Sequence, residues 1–287
     1  MGQSSQGFFC SRFTSLKQGI ETTMATALTI AGSDSGGGAG IQADIKTFSA
    51  LGVYATSVIT AVTAQNTRFV SAVLALSPDI VLAQIKAVLD DIDIDAVKIG
   101  MLANAEIVRA VANALGDFKG HIVLDPVMVA TSGDALLDET AVSAMIELLV
   151  PRADILTPNL PEAAKLLGCP MASSIEETLS QGRALCALGT AAVLMKGGHA
   201  TGDTCTDILV TSDNNWHFQA PRIATRNTHG TGCTLSSAIT ADLAKGATML
   251  DAVSRAHRWL HGAIVAAEQL TIGKGHGPVH HFYEQWR

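Results

Sequence analysis

The sequence predicts an α/β protein, with a central, mostly parallel sheet and helices on both faces. Three observations carry this. Short apolar runs alternate with helical patterns from residue 27 onward, the order that builds parallel sheets. Hydrophobic residues make up 48% and charged residues 16% of the 287, so a large core can form and the runs read as strands covered on both faces. Polar residues gather at the C-terminal ends of those runs, the edge where open α/β sheets bind ligands.

The elements follow in order. Residues 28–32 read as a buried strand ending in a glycine loop at 33–40. Residues 41–51 place Ile41, Ile45, Phe48 and Leu51 on one helical face. A strand at 57–63 precedes a helix at 79–89, with Pro78 near its start, where proline is tolerated. Residues 96–100 read as a strand, 105–115 as a helix, 121–125 as a strand ending on a carboxylate, and 141–149 as a helix. A strand at 154–157 meets Pro158 and a short helix at 161–167. A helix at 174–188 leads to a strand at 191–196 that stops at Gly197 and Gly198. Residues 203–210 and 216–220 break the rhythm as a hairpin, and helices at about 231–244 and 250–270 close the chain. With no internal repeat or linker, 24–287 reads as one domain. Residues 1–23 differ in composition, lack an apolar signal core and read as a flexible extension.

Composition narrows the function. A formal charge of −7 argues against nucleic-acid binding through a basic surface. No apolar run approaches the length of a membrane span. Five cysteines are scattered without CxxC pairs or zinc spacing, which fits a reducing, cytoplasmic setting.

The most informative stretch is 227–236 (NTHGTGCTLS). Gly230, Thr231 and Gly232 at a helix start leave backbone N–H groups open to an anion, with the positive end of the helix dipole behind them. Cys233 in the first turn lies in the same field, which favours a thiolate. A tight loop with a buried cysteine is the plainer account of the same residues. Lys196 at a strand end is the candidate phosphate cation, or else a lysine reaching solvent. Asp125 and Glu162 are hard oxygen ligands suited to Mg²⁺. Asn159 and Glu162 also have the spacing of a capping box. Together these parts point to phosphoryl transfer. There is no GxxxxGK[ST] for a P-loop kinase, and no HRD or DFG of a protein kinase.

Several further motifs share one register with these: 31–48 (AGSDSGGGAGIQADIKTF), 64–67 (AQNT), 98–102 (KIGML), 123–128 (VLDPVM), 157–163 (TPNLPEA), 194–199 (LMKGGH) and 275–282 (GHGPVHHF). On these residues the chain, from about 27 to its end, resembles the hydroxymethylpyrimidine/phosphomethylpyrimidine kinase family of thiamin biosynthesis, within the ribokinase superfamily. The resemblance implies a ribokinase-like three-layer sandwich. It implies transfer of the ATP γ-phosphate to 4-amino-5-hydroxymethyl-2-methylpyrimidine and then to its monophosphate. It places Gln65 on the aminopyrimidine, Asp44, Gly32 and Ala39 near the substrate, and Met101 and Val127 as apolar walls. It assigns Asn159 and Lys196 to the nucleotide and Asp125 and Glu162 to Mg²⁺. Cys233 stands where most of the superfamily has an aspartate base, and it serves either as base or proton relay or by positioning the hydroxyl. A homodimer is implied, and a segment such as 131–137 is a candidate lid. Thr63 departs from the apolar residue expected there, and Ser35-Gly36 from Pro-Ser, which leaves three consecutive glycines. The rival within the superfamily is a pyridoxal or pyridoxine kinase of vitamin B6 salvage, with dual use as one form. A non-catalytic binding protein would have lost Lys196, Asp125 and Glu162 first, and a sugar kinase would carry the aspartate.

Overall fold

A computed structural model describes residues 24–128, 137–199 and 202–286. The expected extension at 1–23 lies outside these residues, as does all but Leu137 of the candidate lid.

Among the described residues, side-chain caps start six of the eight α-helices. Ser77 starts α2 (Pro78–Leu89), Asn104 α3 (Ala105–Ala114), Asp138 α4 (Glu139–Leu148) and Asn159 α5 (Leu160–Leu167). Ser174 starts α6 (Ile175–Cys186) and Thr248 α8 (Met249–Ala266). In each, the side-chain oxygen accepts from an N–H of the first turn, which in α2 also reaches the Ser77 carbonyl. Asn159 and Glu162 form the full capping box that their spacing predicted. The two exceptions are α1 (Gly40–Ala50) and α7 (Thr231–Ala244), whose N-caps Ala39 and Gly230 supply no side-chain bond.

The strands are β1 (Thr26–Asp34), β2 (Tyr54–Gln65), β3 (Val70–Ala75), β4 (Ala96–Ile99), β5 (His121–Leu124), β6 (Ile155–Leu156), β7 (Ala192–Met195), β8 (Thr204–Val210) and β9 (Asn215–Pro221). They form one sheet in the order β3-β2-β1-β4-β5-β6-β7-β8-β9. The six strands from β2 to β7 in that order are parallel, while β3 at one edge and β8 and β9 at the other are antiparallel. Alternate residues of the parallel strands feed separate cores, as the pleat requires. Ile122 and Leu124 pack with residues of α2 to α6, whereas Val123 packs with residues of α7 and α8.

Strand β3 was not expected from the sequence. Val70–Ala75 is apolar but lies mostly exposed at the sheet edge, so it shows no burial periodicity. The topology matters most at β1. The chain first adds β2 on one side of it and later β4 on the other, which opens a crevice beyond the carboxyl ends. The register sets Ile30, Ile99 and Leu124 in one row, so the residues just past them share that crevice.

Candidate active site

Both uncapped helices begin at this crevice. Gly230 adopts φ +78°, and a Cβ there would lie 1.8 Å from the carbonyl oxygen of Gly38. Only glycine allows the 227–233 loop to lie backbone to backbone on the 33–40 loop. No side chain caps the first turn of α7, although the Thr231 N–H donates to the carbonyl of Thr228 at 3.3 Å, so an anion bound at Gly230, Thr231 and Gly232 would meet the remaining first-turn N–H groups.

Beneath this cradle lies a lysine between two carboxylates. Lys196 follows β7, and its N–H donates to the carbonyl of Pro158, which sets it beside Asn159. Its Nζ lies 3.0 Å from Asp125 Oδ1 and 3.7 Å from Glu162 Oε2. A Cβ on Gly232 would come within 3.3 Å of that Nζ and 3.7 Å of Asp125 Oδ2, so the cradle sits directly over the pair. Burial alone would push the Asp125 carboxyl up, but Lys196 and Lys98 outweigh it and hold it below the usual range. Burial pushes Glu162 up to about 7, with the charge of Asp125 adding to it against the pull of Lys196. One oxygen of Glu162 both accepts from the N–H of Asn159, at 2.7 Å, and faces Lys196.

Cys233 departs from expectation in its acidity. Burial pushes its thiol up to about 11, and Asp44 and Asp125 add to this against Lys98 and the N–H of Gly40. The thiolate expected from the helix terminus is therefore not the resting form. Desolvation and two carboxylates outweigh Lys98 and the N–H of Gly40.

The glycine loop is organised by Asp34. Its carboxylate accepts from the N–H groups of Gly36 (2.7 Å), Gly38 (3.1 Å) and Ala39 (2.9 Å) and from His229 Nε2 (2.8 Å). A Cβ on Gly38 would lie 2.4 Å from the His229 ring. Gln65, half-buried at the end of β2, lies 3.4 Å from the same imidazole. Met101 packs over Gly32, where a Cβ would meet its Cε at 2.3 Å. Val127 is half-buried, two residues beyond Asp125.

Asp44 does not reach the crevice. It is fully buried in α1, and its carboxylate accepts from Lys98 Nζ (2.9 and 3.0 Å), Thr29 (2.6 Å) and Ser237 (2.7 Å). Expected near the substrate, it instead anchors α7 from below. Sequence reasoning passed over Lys98, although a lone charge inside the apolar run 96–99 was a visible signal. It also passed over His229 and Ser236, which lie in the motif already singled out, and Ser237, which follows it directly. A cleft of about 610 Å³ opens beside the cradle, lined by residues including Arg226, Asn227, Thr271 and Lys274. Its two cations, Arg226 and Lys274, directly precede the 227–236 and 275–282 motifs, and sequence reasoning named neither.

Several known proteins resemble the chain along most of its length. The family model described as phosphomethylpyrimidine kinase matches residues 34–280. The hydroxymethylpyrimidine/phosphomethylpyrimidine kinase of Rhizobium meliloti is 57% identical over 263 residues, covering 92% of this chain and 99% of the relative. Among solved structures, phosphomethylpyrimidine kinase from Clostridium difficile has a TM-score of 0.74 at 44% identity, covering 83% of this chain and 99% of that one. An ADP complex of Bacillus subtilis pyridoxal kinase has a TM-score of 0.85 at 34% identity, covering 92% and 100%.

Proposed function

The chain belongs to the phosphomethylpyrimidine kinase family, and from that premise we propose how its site phosphorylates hydroxymethylpyrimidine and then the monophosphate in thiamin biosynthesis. The observation that carries the reading is the uncapped start of α7 lying directly over Lys196 and Asp125. The N–H groups of the cradle receive the charge that develops on the transferred phosphoryl group, and Lys196 neutralises its oxygens. ATP enters from the cleft at Arg226, Asn227 and Lys274, with Asn159 and Lys196 at its phosphates. Gln65 holds the ring, and Gly32, Ala39, Met101 and Val127 shape its pocket.

Asp125 and Glu162 would hold Mg²⁺, largely through water, which suits an ion that takes only one or two carboxylates. The raised Glu162 supports the fit, because two buried carboxylates share one lysine and a further cation would relieve them. When bound, the ion supplies charge neutralisation between the phosphates. Cys233 is protonated at neutral pH, so it acts by position. Its sulfur takes the hydrogen bond of the substrate hydroxyl and turns the oxygen toward phosphorus. The proton leaves with the phosphoryl oxygens as transfer completes.

We further propose a homodimer, supported by apolar residues exposed near the β2–β3 edge, such as Phe69 and Leu74. The cytoplasmic setting remains our reading of the scattered cysteines, and among the described residues no helix is long and apolar enough to cross a membrane. The likeness to a pyridoxal kinase favours pyridoxal as a second substrate. The test is ATP-dependent phosphorylation by the purified chain of hydroxymethylpyrimidine, its monophosphate and pyridoxal. Both pyrimidines are expected to react faster than pyridoxal, and failure of both pyrimidines would sink the proposal.

A further inference from the structure

The glycine loop and the anion loop meet at one imidazole, and the hydrogen-bond arithmetic there has a single solution. Asp34 already accepts three backbone N–H bonds, and these together with His229 hold its carboxyl below the usual range against burial. An ionised carboxylate has no hydrogen to give. The hydrogen in the 2.8 Å contact therefore belongs to His229 Nε2, whether the ring is neutral or charged.

With its nitrogen turned to His229, Gln65 would set two N–H donors against each other at 3.4 Å. Its other end raises the same objection. Thr63 Oγ1 lies 3.0 Å from the carbonyl of Ser33, which can only accept, so the hydroxyl hydrogen goes there. That leaves Oγ1 an acceptor toward Gln65 at 3.1 Å, where it needs an NH₂ group rather than an oxygen. Both neighbours ask for the same half-turn of the amide, and the ends of an amide differ by nothing else.

We infer that Asp34 and His229 are positioning residues: the single Nε2–H, held on Asp34 at 2.8 Å and shared at 3.4 Å with Gln65, fixes the amide with its oxygen toward His229 and its NH₂ toward Thr63, and so sets which hydrogen-bonding edge the pyrimidine ring meets. The inference rests on Gln65 being the group that binds the ring. One N–H and one lone pair of the amide remain, a donor beside an acceptor, which matches a ring nitrogen beside an exocyclic amine. His229 also precedes Gly230, so ring recognition and the anion cradle share one fixed point.

Calorimetric binding of 4-amino-5-hydroxymethyl-2-methylpyrimidine, without nucleotide, tests this on the full chain. Gln65→Ala should weaken binding by about tenfold and His229→Ala by about fivefold, the scale of one hydrogen bond. The double variant should bind within about twofold of Gln65→Ala alone, because the imidazole reaches the pyrimidine ring through the amide. His229→Gln keeps a donor and should recover most of the affinity. If His229→Ala fails to fold, Thr63→Val removes the acceptor at the other end and should show the same non-additivity. Full additivity, or an unchanged affinity in both the His229 and Thr63 variants, overturns the inference. Unchanged affinity in Gln65→Ala alone overturns the reading of Gln65 as well, and that single variant tells the two failures apart.

Discussion

A thiol pushed up to about 11 changes what can be asked of Cys233. At pH 7 only about one molecule in ten thousand would carry a thiolate, since each pH unit below the pKa is a factor of ten. A general base is worth roughly 10² to 10⁴ in rate, whereas one orienting hydrogen bond is worth up to about 1.4 kcal/mol, or roughly tenfold. The two roles are therefore separable by magnitude. Cys233→Ala should lower kcat by about tenfold, and a loss approaching 10³ would return Cys233 to the role of base. An independent check is alkylation of Cys233 by iodoacetamide, followed by peptide mass spectrometry. In the ligand-free chain its rate should keep climbing with pH toward 11. A plateau below pH 8 would mean that the helix terminus wins over burial after all.

At the scale of the element, α7 is pinned by two carboxylates through consecutive serines. Ser236 reaches Asp125 Oδ2 at 3.2 Å and Ser237 reaches Asp44 Oδ1 at 2.7 Å. Each carboxylate has its own lysine, Lys196 and Lys98. The Lys98–Asp44 pair is wholly buried, so removing one partner leaves a charge without compensation, a loss of about 3–5 kcal/mol. Lys98→Met should cost on that scale in urea denaturation, and Lys98→Met with Asp44→Leu should recover much of it. Equal losses in the single and double variants would show that packing rather than charge is at stake. The helix itself was legible: 231–244 was read with its observed bounds, because the Gly-x-Gly start and small-residue run are local signals. The capping box at Asn159 and Glu162 was legible for the same reason. What was not legible depends on neighbours distant in sequence. Strand β3 exists by pairing with β2. Asp44 turns inward because Lys98, 54 residues away, meets it. The acidity of Cys233 follows from burial that no motif encodes.

The whole molecule brings its last residues back to the site that its first strand opens. The carbonyl of Gly277 accepts from the N–H of His229, Pro278 bridges to the same residue, and His281 Nε2 lies 3.1 Å from Thr234 Oγ1 in the first turns of α7. Thr234 gives its hydrogen to the carbonyl of Gly230, at 2.8 Å, so His281 must donate and must remain neutral at the nitrogen facing away. Burial, helped by the charge of Lys46, pushes His281 down to about 3 from 6.5. A base whose folded pKa is depressed supports the fold fully above its unfolded value and loses that support as pH falls through the gap. The window is therefore pH 6.5 to about 3, with a slope of about 1.4 kcal/mol per unit. His281→Gln keeps a donor for Thr234 but does not titrate. Denaturation of both chains at pH 7.5, 5.5 and 4.5 isolates this residue from the carboxylates common to both. The stability of the unmodified chain relative to His281→Gln should fall by about 1 kcal/mol at pH 5.5 and by about 2–3 at pH 4.5. Activity should fail over the same range, because the segment that loosens is the one that braces the cradle. A constant difference across the three pH values would mean that His281 meets water in the folded chain, and the tail would then lose its place as a support of the site.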